Sequence, residues 1–145
     1  MPQPPPDAHR TDIQVRFGDT DALGHLNNVS FIGYAELGRL HFVASLGSEA
    51  RSLILARVAA DFRKQVKFGE RVVVCTWVER VGTTSVTLQQ SILANDALAA
   101  EVSSVVVSFD YDTNTPKPWS PDARRYLEAN VRSTAQNDGP TATGA

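Results

Sequence analysis

The residues with the clearest capacity for chemistry lie in one short segment, residues 19–28, which reads DTDALGHLNN. Two aspartates end a predicted strand, a glycine turns the chain, and two asparagines lead into a predicted helix. This order brings Asp21 close to the first backbone N–H groups of a helix, which have no partners within the helix. A carboxylate beside such donors is suited to attack on a carbonyl group whose oxygen must become negative.

Each residue of this segment also has a structural interpretation. Asp21 could simply accept hydrogen bonds from its own loop, as aspartates in turns often do. Asp19 lies nearer the end of the strand, and we expect its role to be structural. His25 could bind substrate, carry protons or hydrogen-bond within the loop. Asn27 and Asn28 are first of all helix caps, and their side chains could also hold water near a reacting group.

Hydrophobic periodicity predicts the elements that hold this segment in place. Residues 12–17 alternate as in a strand. Residues 28 to about 46 have the three- and four-residue apolar spacing of a helix, which Gly47 can end. Four strand-like runs follow, at residues 54–68, 71–81, 84–93 and 98–111, and a short helix is predicted over residues 122–131. Lys64 alone breaks the alternation of the first run, which indicates a bulge or the end of the strand.

One strand, one long helix and an antiparallel meander cannot form a doubly wound parallel sheet, because the meander contains no alternating helices. The apolar helix must be covered by the apolar face of the sheet. We therefore predict an α+β fold in which an antiparallel β-sheet wraps around a long central α-helix. The exposed edges of such a sheet favour pairing into a homodimer or homotetramer.

Length and composition limit the other possibilities. The 145 residues suffice for one domain over residues 11–132, with a disordered leader at 1–10 and a disordered tail at 133–145. A net charge of -2 argues against a nucleic-acid partner. No run approaches the roughly 18 apolar residues of a membrane span, so we expect a soluble, cytoplasmic protein with no membrane partner. The single cysteine, Cys75, and the isolated His9 and His41 lead us to expect no metal.

The segment at residues 19–28 resembles the opening motif of the hot-dog-fold acyl-CoA thioesterases of the 4-hydroxybenzoyl-CoA thioesterase type. Members carry an Asp-x-Asp-x-x-Gly-His-x-Asn-Asn-like signature followed by Tyr-x-Glu-x-x-Arg, and residues 34–39 here read YAELGR. Residues 61–70, DFRKQVKFGE, are similar to the family's strand-to-turn segment. Gly-Glu replaces the usual Gly-Asp there, and Gln65 replaces a proline. The likeness covers roughly residues 12–128.

This resemblance implies a thioester hydrolase with the hot-dog fold and with pockets built between subunits. Asp21 corresponds to the family's catalytic carboxylate, and the backbone N–H near Asn28 to its oxyanion donor. Coenzyme A would be part of the substrate, and no separate cofactor is implied. The leaving thiol has a pKa of about 8.5, so no strong general acid is needed. Asp21 could act as nucleophile or as base for water, and apolar surroundings would raise its basicity.

Other residues extend these expectations. Arg63, Lys64 and Lys67 form a basic cluster that could bind the phosphates of coenzyme A, although lysines also collect at strand edges. Glu36 and Arg39, three residues apart on the predicted helix, are expected to form an ion pair.

Two other functions stay open. Hot-dog hydratases and dehydratases of acyl thioesters need a His with an Asp or Glu placed for proton transfer at carbon. Their signature resembles Gly-Asp-x-Asn-Pro-x-His, which this sequence lacks, although His25 with Glu36 could mimic the pair. A hot-dog protein that binds acyl-CoA without turnover is also possible, because a fold does not determine a function. The acyl group, and the choice between coenzyme A and acyl-carrier-protein thioesters, stay open as well.

Overall fold

The structure, a computed structural model, describes residues 3–133. Its strands are β1 (His9–Ile13), β2 (Leu53–Phe62), β3 (Val72–Val81), β4 (Ser85–Ala94), β5 (Ala97–Asp110) and the short β6 (Thr115–Pro116). Its α-helices are α1 (Asn28–Val43) and α2 (Pro121–Ala129), and 3-10 helices cover Phe17–Asp19 and Ala44–Arg51. The five long strands are antiparallel and lie in the order β1-β3-β4-β5-β2, with β6 paired to β5.

The sheet differs from the predicted meander in the place of β2. Strands β3, β4 and β5 follow one another as hairpins, but β2 pairs with β5 rather than with β3. Residues 63–71 therefore carry the chain from one edge of the sheet to the strand beside the other edge. Alternating hydrophobicity identifies a strand but not its neighbour, so the sequence pattern could not place β2. As a result, β1 and β2 are the two edge strands.

The boundaries of three elements also differ from the prediction. β1 begins at His9 and ends at Ile13, because the chain next turns into the 3-10 helix at Phe17–Asp19. α1 ends at Val43, and Gly47 lies inside the following 3-10 segment with φ of +67°. β2 ends at Phe62, so Lys64 lies beyond the strand, and this end explains the break in alternation. The predicted tail, apart from Ser133, lies outside the described residues.

α1 covers one face of the sheet. Its buried side chains, including Phe31, Tyr34 and Ala35, pack against alternating residues of the sheet such as Val74 and Ile92. Burying an aliphatic or aromatic side chain contributes about 1.5–3 kcal/mol, so this contact is the main force that holds the helix in place. The predicted α+β hot-dog arrangement, a curved antiparallel sheet around a central helix, is confirmed.

A buried polar contact fixes the position of α1 along the sheet. The side-chain amide of Gln90 on β4 donates to the carbonyl oxygen of Ala35 at 2.9 Å and to the hydroxyl of Thr76 at 3.1 Å. Gly38 faces the same place, and a Cβ on it would lie 2.6 Å from Cγ1 of Val74. Helix and sheet therefore approach more closely here than any residue with a side chain would allow.

The opposite face of the sheet carries a smaller apolar cluster. Val73, Cys75, Trp77 and Leu93 are buried there, with Ala8 packed against them. Cys75 is 1% exposed and packs as a small buried apolar residue. None of the helices within residues 3–133 is long and apolar enough to cross a membrane.

Candidate active site

Asp21 lies in a tight loop that is anchored to the segment after β2. The backbone of His25 forms an antiparallel bridge with Lys67. The N–H of Leu26 donates to the carbonyl oxygen of Val66 at 2.7 Å. The loop between β1 and α1 is therefore held against a second part of the chain.

The carboxylate of Asp21 uses only one of its oxygens in this loop. Oδ1 accepts the N–H of Leu23 at 2.8 Å and that of His25 at 3.1 Å. Gly24, with φ of +82°, makes the turn that brings these two N–H groups to the carboxylate. Within residues 3–133, no other residue donates a hydrogen bond to Oδ2. One oxygen therefore has the structural role of a loop acceptor, while the other is available for chemistry.

The electrostatics of Asp21 differ from the expectation of apolar surroundings. Its side chain is exposed, and the N–H groups of Leu23 and His25 lower the pKa of its carboxyl group. Desolvation alone would raise the pKa, but the hydrogen bonds to the charged form have the larger effect here. The carboxyl group is therefore ionised, but its basicity is reduced rather than raised.

The first turn of α1 leaves one backbone donor unused. The N–H of Val29 donates to Oδ1 of Asn27 at 2.9 Å. Those of Ser30 and Phe31 both donate to the carbonyl oxygen of Asn27, at 2.9 and 3.3 Å. Of the four N–H groups that start a helix without intrahelical partners, only that of Asn28 has no acceptor among the described residues. It is the available donor for an oxyanion.

Asn28 also lines a cavity of about 210 Å³. It is lined by Leu26, Asn28, Phe31, Phe62, Arg63, Lys64 and Gln65. Of the predicted site residues, the cavity thus joins Asn28 with Arg63 and Lys64. Asp21, His25, Asn27 and Lys67 do not line it.

The three members of the basic cluster are not equivalent. Arg63 donates to Oε2 of Glu101 at 2.7 and 3.0 Å, and this contact raises the pKa of the guanidinium group. Nζ of Lys64 lies 3.9 Å from Oε2 of Glu70, the distance of a weak ion pair. The side chain of Lys67 is exposed and forms no ion pair within residues 3–133. Lys64 and Lys67 are therefore more available to a ligand phosphate than Arg63 is.

Asp19 joins the loop to the helix. Its Oδ2 accepts the hydroxyl of Tyr34 at 2.6 Å and the N–H of Arg16 at 3.0 Å. Its backbone carbonyl accepts the N–H of Asn27 at 2.9 Å and the hydroxyl of Ser30 at 3.0 Å. These contacts fit the structural role expected for Asp19. The part played by Tyr34 was missed, and the only signal for it was its place in the YAELGR segment.

Tyr34→Phe should lower the free energy of unfolding by about 1.5–3 kcal/mol, since it removes a hydrogen bond to a buried charged group. The Tyr34 hydroxyl is the main cause of the lowered pKa of Asp19. Stability from a lowered carboxyl pKa is present above the unfolded pKa and is lost as pH falls through the folded one. The deficit of the variant, measured by urea unfolding, should therefore shrink in acid.

Tyr126→Phe is the matched control for this prediction. The Tyr126 hydroxyl donates at 2.7 Å to the neutral carbonyl oxygen of Phe42. Its removal should cost about 0.5–1.5 kcal/mol at every acidic pH, because the acceptor does not titrate. Equal pH dependence in the two variants would contradict the role assigned to the Tyr34–Asp19 contact.

The expected ion pair between Glu36 and Arg39 is wrong. No nitrogen of Arg39 lies within 4 Å of the Glu36 carboxylate. Arg39 is 7% exposed, whereas Glu36 is exposed, and the charge of Glu36 acts on Arg39 only from beyond ion-pair distance. Burial lowers the pKa of Arg39.

The described residues contain no cluster of side chains that could ligate a metal ion. No group of three or more His, Cys, Asp or Glu side chains lies close enough together there to hold an ion. The ring of His25 forms no hydrogen bond to another residue between positions 3 and 133. The chemistry available is thus that of a carboxylate, a backbone donor and an unengaged imidazole.

A carboxylate loop leading into the capped start of a helix, inside a hot-dog fold, defines a class of protein that the comparisons identify. Residues 15–127 match the thioesterase-like superfamily, and the chain belongs to that superfamily. A protein from Bacillus stearothermophilus described as a predicted thioesterase is 33% identical, with a TM-score of 0.79, over 86% of this chain and 96% of that one. The family resemblance seen in the sequence is confirmed.

Two further relatives carry more detailed descriptions. A thioesterase from Thermus thermophilus, solved in complex with coenzyme A and zinc, is 28% identical, with a TM-score of 0.77, over 83% of this chain and 91% of that one. YneP of Bacillus subtilis (strain 168), named provisionally as an acyl-CoA thioesterase, is 26% identical over 77 residues. That match covers 48% of this chain and 56% of YneP, so the chain spans about half the length of this curated relative.

Proposed function

We propose that this protein is a cytoplasmic acyl-CoA thioesterase, which hydrolyses a thioester to a carboxylic acid and a free thiol. The observation that carries the proposal is that Asp21 has an unengaged Oδ2 and Asn28 an unengaged backbone N–H, in one segment that leads from a loop into the start of α1. Membership of the thioesterase-like superfamily supports hydrolysis. The coenzyme A bound to the Thermus thermophilus relative supports the choice of thiol.

In the proposed reaction, the N–H of Asn28 binds the thioester carbonyl oxygen. The partial positive charge at the start of a helix favours the oxyanion that forms there. Asp21 then acts in one of two ways. As a base it takes a proton from the water that attacks the carbonyl carbon. As a nucleophile it forms a mixed anhydride, expels the thiolate, and is released when water cleaves the anhydride.

The neighbouring polar side chains have supporting parts in this scheme. Oδ1 of Asn27 is occupied as the helix cap, so only its amide nitrogen is available to hold a water molecule or substrate. The unengaged ring of His25 can bind substrate or donate a proton to the departing thiolate. Neither residue is required for the basic chemistry, because a thiolate is already a good leaving group.

The proposed active form is a homodimer or homotetramer. The cavity beside Asn28 is smaller than the roughly 300–1,000 Å³ of typical ligand pockets. Several large apolar side chains around the loop and the helix start are exposed, namely Phe17, Leu23, Val29 and Phe68. A second copy would cover these groups and enlarge the site.

Release of free thiol from a panel of acyl-CoAs, followed with a thiol reagent, tests the proposal. Turnover supports hydrolysis and identifies the acyl group. Binding without turnover would favour a protein that only holds acyl-CoA, and formation or loss of a carbon–carbon double bond without thiol release would favour a hydratase. Acyl-carrier-protein thioesters in the same panel show whether the acyl group of the substrate is carried by coenzyme A or by an acyl carrier protein.

Lys64→Ala and Lys67→Ala should raise KM while leaving kcat nearly unchanged. Phosphates distant from the reacting bond are contacted equally in the ground state and the transition state. The effect should shrink with added salt, because exposed charges are screened over about 10 Å at ~0.1 M. KM and kcat are measured with full acyl-CoA at two salt concentrations.

Two controls accompany these lysine variants. An acyl-pantetheine substrate lacks the nucleotide, so its KM should not respond to either substitution. Lys117→Ala changes a lysine beyond the opposite end of β2 and should leave both kinetic constants unchanged. If Lys64→Ala impairs the truncated substrate as much as acyl-CoA, the phosphate role is wrong and Lys64 belongs to the fold.

A further inference from the structure

Arg39 is a buried cation that no hydrogen bond satisfies in the described part of the chain. Its side chain is 7% exposed, forms no hydrogen bond or ion pair with any residue between positions 3 and 133, and has Nη1 enclosed without an acceptor. A guanidinium group stays protonated under all ordinary conditions. Because a buried charge is unfavourable unless it is paired, Arg39 is suited to hold an anion that the described residues do not supply.

Arg39 lines a second cavity, of about 200 Å³. Apart from Glu36, the other residues that line it are apolar, namely Leu40, Val43, Ala50, Leu53, Leu55 and Val106. At about 30 Å³ for each water-sized group, the cavity has room for roughly seven non-hydrogen atoms. An occupant must therefore be small, with an apolar body and one anionic end.

Two buried serines of β5 place further unsatisfied groups beside this cavity. Ser104, Val106 and Ser108 share the buried face of β5, and Val106 lines the cavity. Ser108 is paired across the sheet with Leu53, which lines the cavity as well. Both serines are 0% exposed, and neither hydroxyl has a hydrogen-bond partner among residues 3–133. One guanidinium group and two hydroxyls, all able to donate, thus lack acceptors around one cavity.

We propose that this cavity is a binding site for the carboxylate of a small apolar acid. An ionised carboxylate only accepts hydrogen bonds, and two parallel N–H bonds from a guanidinium group match its geometry. Arg39 holds the carboxylate, and the hydroxyl of Ser108 donates to it. The carbon chain packs against Leu40, Leu53 and Leu55. This site shares no lining residue with the cavity of the candidate active site, and it does not rest on the proposed function.

Glu36 limits the kind of anion that fits. Among the described residues that line the cavity, it is the only charged one besides Arg39, and it is exposed. One cation with an anion nearby cannot compensate the second charge of a phosphate dianion, and apolar walls offer no donors to its remaining oxygens. A monocarboxylate has one charge and an apolar chain, so its two parts match the two parts of the cavity.

The carboxylate could belong to a free acid or to the far end of an acyl group whose thioester lies at Asn28. Arg39 follows Asn28 on α1 by 11 residues, which is about 16 Å at 1.5 Å per residue. Within one chain, a short acid therefore reaches Arg39 only as a free molecule. A long acyl group that ends in a second carboxylate could reach it from Asn28.

Calorimetric titration with pentanoate, an acid of the size that the cavity holds, tests the site. The wild-type protein should bind one pentanoate per chain. The neutral isostere pentanamide should bind at least ~10-fold more weakly, because it offers no charge for Arg39 to pair. Inorganic phosphate should not displace pentanoate, and displacement would contradict the assignment to a carboxylate. Equal affinity for the acid and the amide, or no binding of pentanoate, would overturn the proposal and leave water on the enclosed groups.

Arg39→Met and Ser108→Ala test the two assigned groups. Arg39→Met should weaken pentanoate binding at least ~10-fold without loss of stability, because an apolar side chain replaces an unpaired buried charge. Ser108→Ala should weaken binding about 10-fold, the effect of one hydrogen bond to a charged group. Ser103→Ala is the matched control and should change nothing, since Ser103 accepts from Gln89 and lies off the buried face of β5. Unchanged affinity in Arg39→Met would overturn the proposal.

Two long acyl-CoAs of equal length, one of which ends in a second carboxylate, identify the source of the ligand. If the carboxylate belongs to the acyl group, Arg39→Met should raise KM only for the thioester that carries it, and pentanoate should compete with that thioester. If the ligand is a free acid, both KM values should stay unchanged and pentanoate should bind beside either thioester. Where a thioester is bound without turnover, Kd replaces KM, so the carboxylate site can stand even if acyl-CoA is not hydrolysed.

Discussion

Asp21→Asn should lower kcat by at least about 100-fold, the lower range for loss of a positioned acid or base. Asparagine retains a side-chain oxygen that can accept the N–H groups of Leu23 and His25, so the loop should keep its conformation. The second oxygen is replaced by an uncharged amide nitrogen, which can neither attack a carbonyl carbon nor take a proton from water. The variant should therefore bind substrate and unfold as the wild type does, with only turnover lost.

The control for this result is Asp19→Asn, which changes the buried carboxylate two residues earlier. It should weaken the Tyr34 and Arg16 contacts and lower stability more than it lowers kcat at a temperature where the variant is folded. If Asp21→Asn were as active as the wild type, the assignment of Asp21 as the catalytic carboxylate would be wrong. A large kcat loss confined to Asp19→Asn would move the catalytic role to Asp19.

The pH profile provides a second check on Asp21. The pKa of its carboxyl group is lowered by backbone hydrogen bonds, and the proposed chemistry needs the ionised form. Activity should therefore persist as pH falls through the ordinary range of an aspartate and be lost only below it. An acidic limb above that range would show that substrate or a second copy desolvates the carboxylate. Trapping of an acyl-enzyme anhydride would show that Asp21 acts as a nucleophile rather than as a base for water.

The sequence predicted those features of the fold that depend on local pattern. Period-two and helical spacing located the strands and both helices, since each must bury one face. The position of β2 beside β5 could not be predicted, because its alternation fits any neighbouring strand. The early end of β1 depends on the Asp19 contact with Arg16, which is a local hydrogen bond that periodicity does not record.

The candidate site also has features that the sequence predicted and features that it could not predict. Asp21, Gly24 and Asn28 lie within one short segment of the chain, so the sequence alone predicted a loop carboxylate followed by the start of a helix. Tyr34 reaches Asp19 across 15 positions, and this contact depends on how the helix is rotated about its axis. Arg39 illustrates the same limit, since i,i+3 spacing favoured an ion pair that the burial of one side chain prevents.

Gly38→Ala should destabilise the protein, although alanine is the better helix former by about 1 kcal/mol. The new Cβ would lie 2.6 Å from Cγ1 of Val74 and 3.0 Å from Nε2 of Gln90. Overpacking of this kind costs about 1–3 kcal/mol. Displacing Gln90 also threatens its buried bond to the Ala35 carbonyl, and an unsatisfied buried group costs a further ~1–3 kcal/mol. The two costs outweigh the gain in helix propensity.

Gly33→Ala is the matched substitution on the same helix and should have the opposite sign. A Cβ at Gly33 would meet nothing within 4 Å, and the residue is exposed. Only the backbone effect remains, so the free energy of unfolding should rise by about 0.4–1 kcal/mol. Urea unfolding of both variants measures the difference directly. If Gly38→Ala were as stable as Gly33→Ala, α1 would be free to move away from the sheet, and the close approach would not be what fixes the helix beneath the candidate site.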